Sequence, residues 1–301
     1  MTVGIGVLCE NGASAILASD MRATYPSNAV DPNDLVGKQF HFAHIPLFRD
    51  VPCAIAGKLG LCTEIAFRLN IEFQKLSKRK KPLTHEHVRD AIDAARWRVL
   101  ARRRDWVLKT QLNITWNQLL RGKVPHGNLD KAAIDYARAL CAGYDFKVQF
   151  ILCGHVLGTP MFFRASRADE LESETSPAVY TIGSPGARAA MSHLNKRGQT
   201  LMCGLARSLL HVHEAMEAAR EADKEHIGPP AIYAVLTHDR GLWRFKPDSY
   251  LLQGWAKAYK NREDTWSLET ELAREQVRQQ LFKWEGHEGI TPSEFPTSID
   301  S

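Results

Sequence analysis

No stretch of about 18 apolar residues occurs in the 301-residue sequence, so nothing in it predicts a membrane-spanning helix. The first residues lack the basic and apolar regions of a secretory signal. Six cysteines (Cys9, Cys53, Cys62, Cys141, Cys153 and Cys203) include no CxxC pair, and several sit inside apolar runs. They read as buried thiols, which argues against zinc, any other metal site and a disulfide framework. Together these absences predict a cytoplasmic protein without a metal or other cofactor. A strong charge of one sign is also missing. Lys and Arg number 39 against 34 Asp and Glu, and the resulting +5 does not by itself argue for a nucleic-acid partner. Internal repeats and low-complexity segments are absent too.

What is present is an ordinary globular composition, 44% hydrophobic, long enough for one large domain or two small ones. Its most informative residue is Thr2. Removal of an initiator Met is favoured before so small a residue, and a mature N-terminal Thr carries a hydroxyl nucleophile and a free amine together. The amine is a built-in general base with an ordinary pKa of about 7.7–8.0.

Strand patterns at Val3–Leu8 and Ala13–Ser19 flank Cys9-Glu10-Asn11-Gly12, whose Asn-Gly pair predicts a hairpin. Further strands are expected at Gln39–Phe42 and Cys53–Ala56. A helix over Leu59–Leu76 follows, with Leu61, Ile65, Leu69 and Phe73 along one face. A second helix starts near Thr84 and runs past Arg104, as far as Leu120, and a third spans Leu129–Cys141. Strands return at Val148–Cys153, Met161–Arg164 and Val179–Ile182. Helices at Ala187–Asn195 and Thr200–Ala222 come next, then a closing hairpin of Ile232–Leu236 and Leu242–Phe245. That order suits an α+β domain of two antiparallel sheets packed face to face with helices outside. The tail from about Tyr250 reads as helical and carries Trp255, Trp266 and Trp284.

An ordered set of segments resembles the proteasome β-type peptidases, including bacterial proteasome-like ones, within the N-terminal nucleophile hydrolases. Thr2-Val3-Gly4-Ile5 resembles the family's opening strand, and Ala18-Ser19-Asp20-Met21-Arg22-Ala23-Thr24 its A-x-D-x-R-x-T segment. Gly37-Lys38-Gln39-Phe40 resembles the lysine-bearing strand and Ala54-Ile55-Ala56-Gly57 the small-residue strand. Val148–Gly154 and Ile182-Gly183-Ser184 complete the set. The resemblance implies a four-layer αββα sandwich over residues 1–248, with a helical insertion at about 104–146 and a helical extension over 249–301. Independently of the motifs, a turn centred near Asn11 would bring Thr2 opposite Asp20, because cross-strand partners in a hairpin sum to a constant.

The same resemblance implies the chemistry. Thr2 attacks an amide carbonyl, with Lys38 lowering the pKa of nucleophile and amine. Asp20 holds Lys38, Arg22 fixes the turn, and Ser184 hydrogen-bonds the amine. Backbone at Gly57 meets the oxyanion, backbone at Thr24 and Gly57 binds an extended peptide, and Ile55 floors an apolar specificity pocket. Each residue alone has a plainer reading: Asp20 and Arg22 as hairpin caps, Lys38 as a strand-edge lysine, Ser184 as a helix N-cap. One departure from the family stands out. In Asp223-Lys224-Glu225-His226-Ile227 the aspartate comes one residue early and Ile227 holds the serine position.

Two other clusters read as solvated helix faces. His85-x-His87 and His211-x-His213-Glu214 fit no zinc pattern. Arg96, Arg98, Arg102, Arg103 and Arg104, with Lys78–Lys81, suit a solvated face or a subunit contact more than nucleic acid.

The leading expectation is therefore a threonine peptidase acting on peptides or unfolded protein in a homo-oligomeric ring, with any ATPase regulator unspecified. A non-catalytic subunit of the same fold and an amidase for a small acyl-amide are the competing readings. The absence of an extra helix before the first strand favours the catalytic class.

Overall fold

The computed structural model describes residues 3–20, 39–42, 51–57, 59–79, 83–142, 148–156, 159–165, 172–174, 178–183, 185–228, 231–237 and 241–245. Two five-stranded antiparallel sheets organise it. The first takes β1 (Val3–Cys9), β2 (Ser14–Asp20), β10 (Val179–Gly183), β11 (Ala231–Thr237) and β12 (Gly241–Phe245) in the order β10-β1-β2-β11-β12. The second takes β3 (Gln39–Phe42), β4 (Val51–Gly57), β7 (Val148–Val156), β8 (Thr159–Ala165) and β9 (Glu172–Glu174) in the order β3-β4-β7-β8-β9.

Period-two patterning gives β1 and β2 two buried faces. Val3, Ile5, Val7, Ile16 and Ala18 pack against α5 (Pro185–Lys196) and α6 (Leu205–Ala222), through Leu194, Leu209, Val212 and Met216. The alternate residues Leu8, Ala15 and Leu17 meet Ile151, Cys153 and Phe162 of the facing sheet. Gly6 belongs to this second face. A Cβ there would come within 3.0 Å of Ile151 Cγ2 and 3.1 Å of Phe162, so the sheets approach closely at that point. On the far side of the second sheet, α1 (Leu59–Ser77) and α2 (His85–Leu112) cover Val148, Phe150, Leu152 and Phe163. The expected stripe of Leu61, Ile65, Leu69 and Phe73 is buried there, each side chain contributing about 1.5–3 kcal/mol.

Helix α2 stops earlier than the sequence suggests. Asn113 ends it in the left-handed conformation (φ 53°), and Thr115 and Gln118 form a reciprocal capping box that starts α3 (Trp116–Arg121). A small hairpin, β5 (Lys123–Val124) with β6 (Gly127–Asn128), leads to α4 (Lys131–Ala142). Leu108, Ile114, Leu119, Ala137 and Cys141 give this segment an apolar cluster of its own.

The first hairpin also differs from expectation. Its turn holds Glu10, Asn11 and Gly12 all at positive φ (53°, 56° and 84°), and Cys9 pairs with Ser14. Glu10 is an unusual residue for that region, where a side chain costs roughly 1–2 kcal/mol. Its carboxylate is held in return: it accepts from Ser14 Oγ at 2.7 Å and from the Leu205 N–H at 3.3 Å. The latter contact supplies an acceptor at the start of α6, whose N-cap, Gly204, has no side chain to do so.

No helix among the described residues is long and apolar enough to cross a membrane.

Candidate functional site

The polar end of the space between the sheets lies where β1 begins. The register runs Gly4↔Ser19 through Cys9↔Ser14. Val3, and not Thr2 as the sequence suggested, therefore comes level with Asp20. The four-residue turn is centred between Asn11 and Gly12, and that half-step moves every pairing by one residue. Asp20 is fully buried, and its Oδ1 accepts the Val3 N–H at 2.9 Å. A carboxylate thus holds Val3, the residue that follows Thr2.

On its other side Val3 pairs with Gly183. That glycine has φ 113°, which an L side chain rarely adopts, so Gly is required here. Its N–H donates at 2.7 Å to Oε1 of Gln149, which reaches across from β7. Within its own sheet Gln149 pairs with Ala56, next to the Gly57↔Val148 pair. Val3, Asp20, Gly183 and Gln149 therefore join β1, β2, β10 and β7, beside the end of β4. Ser19 adds a buried hydroxyl that has no hydrogen-bond partner among the described residues.

Of the residues singled out from sequence, Asp20 stands in this cluster. Ile55 and Gly57 lie in β4, opposite Phe150 and Val148. Thr2, Arg22, Thr24, Lys38 and Ser184 lie outside the described residues, as do the basic loop at 80–81 and the extension at 249–301. Gln149 was missed, although it is the single polar residue in the run Val148–Cys153.

Among the described residues the cysteines are buried and offer no rival nucleophile. Burial, reinforced by Glu10, pushes the Cys9 thiol up to about 12, and burial raises Cys153 as well. Cys62, Cys141 and Cys203 are likewise buried and unbridged.

Asp223 caps the C-terminus of α6, with Oδ1 2.7 Å from His226 Nδ1. Ile227 is buried in the cluster beneath α5 and α6, which explains an apolar residue where the motif has serine.

The second histidine cluster and Arg96 need correction, whereas Arg98 and Arg102 are exposed as a solvated face requires. His211, His213 and Glu214 face inward and are buried. His213 Nδ1 meets Tyr233 Oη at 2.9 Å, His211 Nδ1 meets Gln199 Oε1 at 2.9 Å, and Glu214 binds Arg197 and His193. They are α6 core groups because that helix is covered on the face carrying them. His87 closes the capping box of α2 with Thr84, and His85 stacks on Phe163. Among the described residues no three His, Cys, Asp or Glu side chains gather as a metal site. Most of the basic cluster is paired across or along the helices: Arg98 with Glu72, Arg102 and Arg103 with Glu64, and buried Arg96 with Asp93. Arg104 lies over the Trp116 ring at 4.5 Å.

No family model matches the chain, and no curated protein matches it. Among solved structures it is similar to an Anbu (Gly-1) mutant from Hyphomicrobium sp. strain MC1. Their identity is 14%, with 96% of this chain and 100% of that one covered and a TM-score of 0.58. It is also similar to Anbu, described as an ancestral beta-subunit, from Yersinia bercovieri, at 12% identity, 95% and 99% coverage and TM-score 0.60. A further Anbu structure from Hyphomicrobium sp. strain MC1 gives 15% identity, 95% and 99% coverage and TM-score 0.52. Likeness at such identities shows the fold alone. It also corrects the placement drawn from the motifs. The solved structures named above are Anbu, a relative of the proteasome β-type peptidases the motifs suggested and not one of them. The chain has an α+β fold with antiparallel sheets, similar to that of Anbu.

Proposed function

We propose that this chain is a threonine-type N-terminal nucleophile hydrolase that cleaves peptide bonds once Met1 is removed. The observation that supports this best is the buried Asp20 carboxylate on the Val3 N–H, because it fixes the backbone one residue from Thr2. In the proposed reaction Thr2 Oγ attacks the scissile carbonyl while the Thr2 amine takes its proton, directly or through one water. The tetrahedral oxyanion is met by backbone N–H at Gly57. Collapse breaks the C–N bond, the leaving amine takes the proton, and an ester to Thr2 remains. Water attacks that ester, the amine again acting as base, and the Thr2 hydroxyl is restored.

In the same proposal Lys38 supplies the cation beside the hydroxyl, Asp20 holds Lys38, Arg22 fixes the turn, and Ser184 orients the amine. Thr24 and Gly57 pair with an extended peptide, and Ile55 borders the specificity pocket. The three apolar layers support reading residues 1–248 as a four-layer αββα sandwich, with 104–146 as an insertion and 249–301 as an extension. The Yersinia bercovieri neighbour is described as a beta-subunit, which supports a homo-oligomer as the working form.

One observation favours a second reading, a non-catalytic subunit of the same fold. Ile227 is a core residue and brings no hydroxyl to the amine.

Intact mass before and after treatment with a peptide epoxyketone decides between the two, since the probe needs a hydroxyl and a free amine on one residue. Loss of Met1 with a single adduct, abolished in Thr2→Ala, is the expected result. Retained Met1 without an adduct would leave the non-catalytic reading.

A further inference from the structure

We infer that Gln149 is a positioning residue for the nucleophile, acting through Gly183 and Val3; this rests on the hydrolase reading above. Three facts converge on it. Gln149 belongs to the sheet opposite β1, and its Oε1 accepts the Gly183 N–H at 2.7 Å, a bond between the two sheets at this end of the molecule. Gly183 is the cross-strand partner of Val3. Val3 is held on its other side by buried Asp20, and Thr2 is its neighbour in the chain. Val3 is therefore gripped from both flanking strands, and one of those grips is anchored in the facing sheet.

The grip has a direct bearing on the site. Gln149 pairs with Ala56 and stands one residue from the Gly57 pair. One side chain thus ties the strand beside the nucleophile to the strands that end in the oxyanion segment. Attack requires the hydroxyl and the oxyanion donor to be in register to a fraction of an ångström, and a misplacement of about 1 Å costs on the order of 10²-fold. Packing alone does not supply this bond. Gly183 is exposed and at φ 113°, and its strand is an edge of its sheet. Its N–H would otherwise be left to water.

The chemistry of the bond predicts which replacements work. An acceptor at the carboxamide oxygen is required, so Gln149→Glu keeps the bond to Gly183 and Gln149→Leu removes it at similar size. Glu also brings a negative charge towards the amine, which raises the amine's pKa and moves the pH–rate profile of labelling upward.

The test uses the full-length protein and a peptide epoxyketone, with labelling of Thr2 followed as kinact and KI. Gln149→Ala is carried alongside in case the leucine variant does not fold. The expected result is a fall in kinact of ten-fold or more for Gln149→Leu and Gln149→Ala with KI within about two-fold. Gln149→Glu recovers kinact to within about three-fold, with its pH profile displaced upward. Labelling of the leucine and alanine variants at the wild-type rate overturns the positioning role alone, as does a change confined to KI. A wild type that takes no label sinks the hydrolase reading and the positioning role with it. A labelled wild type keeps those two failures apart.

Discussion

His213 is buried on α6 with its Nδ1 against the Tyr233 hydroxyl. Burial, reinforced by Arg220 and only partly opposed by Glu214, holds its pKa down at about 4 against an ordinary 6.5. The folded chain therefore refuses a proton that the unfolded chain accepts between about pH 6.5 and 4. Stability is complete above that window and declines as pH falls through it. The loss amounts to on the order of 3 kcal/mol for so buried a ring. Urea midpoints between pH 7 and 4 should decline more steeply for the wild type than for His213→Gln; parallel curves would mean that the ring is protonated in the fold. None of this was visible in the sequence. A His-x-His-Glu run reads the same on a wet face as on a dry one, and only the cover of α5 and β11 tells them apart.

At the level of elements, the crossing of α5 and α6 turns on one glycine. A Cβ at Gly186 would fall 2.8 Å from the Ala219 carbonyl oxygen and would collide with the Ile227 side chain. Backbone cannot move aside as a side-chain tip can. Gly186→Ala should therefore cost about 1–3 kcal/mol, read as a fall in Tm, and Ile227→Val in the same chain should return only part of it. Strands and long helices were legible in the sequence wherever periodicity was strong, as with Leu61, Ile65, Leu69 and Phe73. The break after Leu112 was not read from the sequence, which carried the helix on to Leu120, although Thr115-Trp116-Asn117-Gln118 is a capping-box pattern. The register of the first hairpin was not legible. Asn-Gly announces a turn, but nothing marks Glu10 as a third left-handed residue, because what holds it there is the Leu205 N–H 195 positions away. The cluster of Val3, Asp20, Gln149 and Gly183 is likewise made by strand pairing between distant segments, which local pattern does not encode.

Across the whole molecule, the first strand is an interior strand of its sheet. β1 lies between β2 and β10, and the partner of Val3 is Gly183. A ribosome adding about 5–20 residues each second delivers Gly183 roughly 10–30 s after Asp20. During that interval the chain start has at most one neighbouring strand, and its first residues are open to enzymes. If Thr2 is the nucleophile, as proposed, trimming of Met1 belongs to the nascent chain. Ribosome-bound chains stalled at residue 150 should already begin with Thr2, as N-terminal mass analysis would read; chains that still carry Met1 at that length would contradict this. On that reading the late arrival of β10 would work as a timer, in which the order of synthesis sets the order of maturation and no processing enzyme that recognises the folded protein is needed.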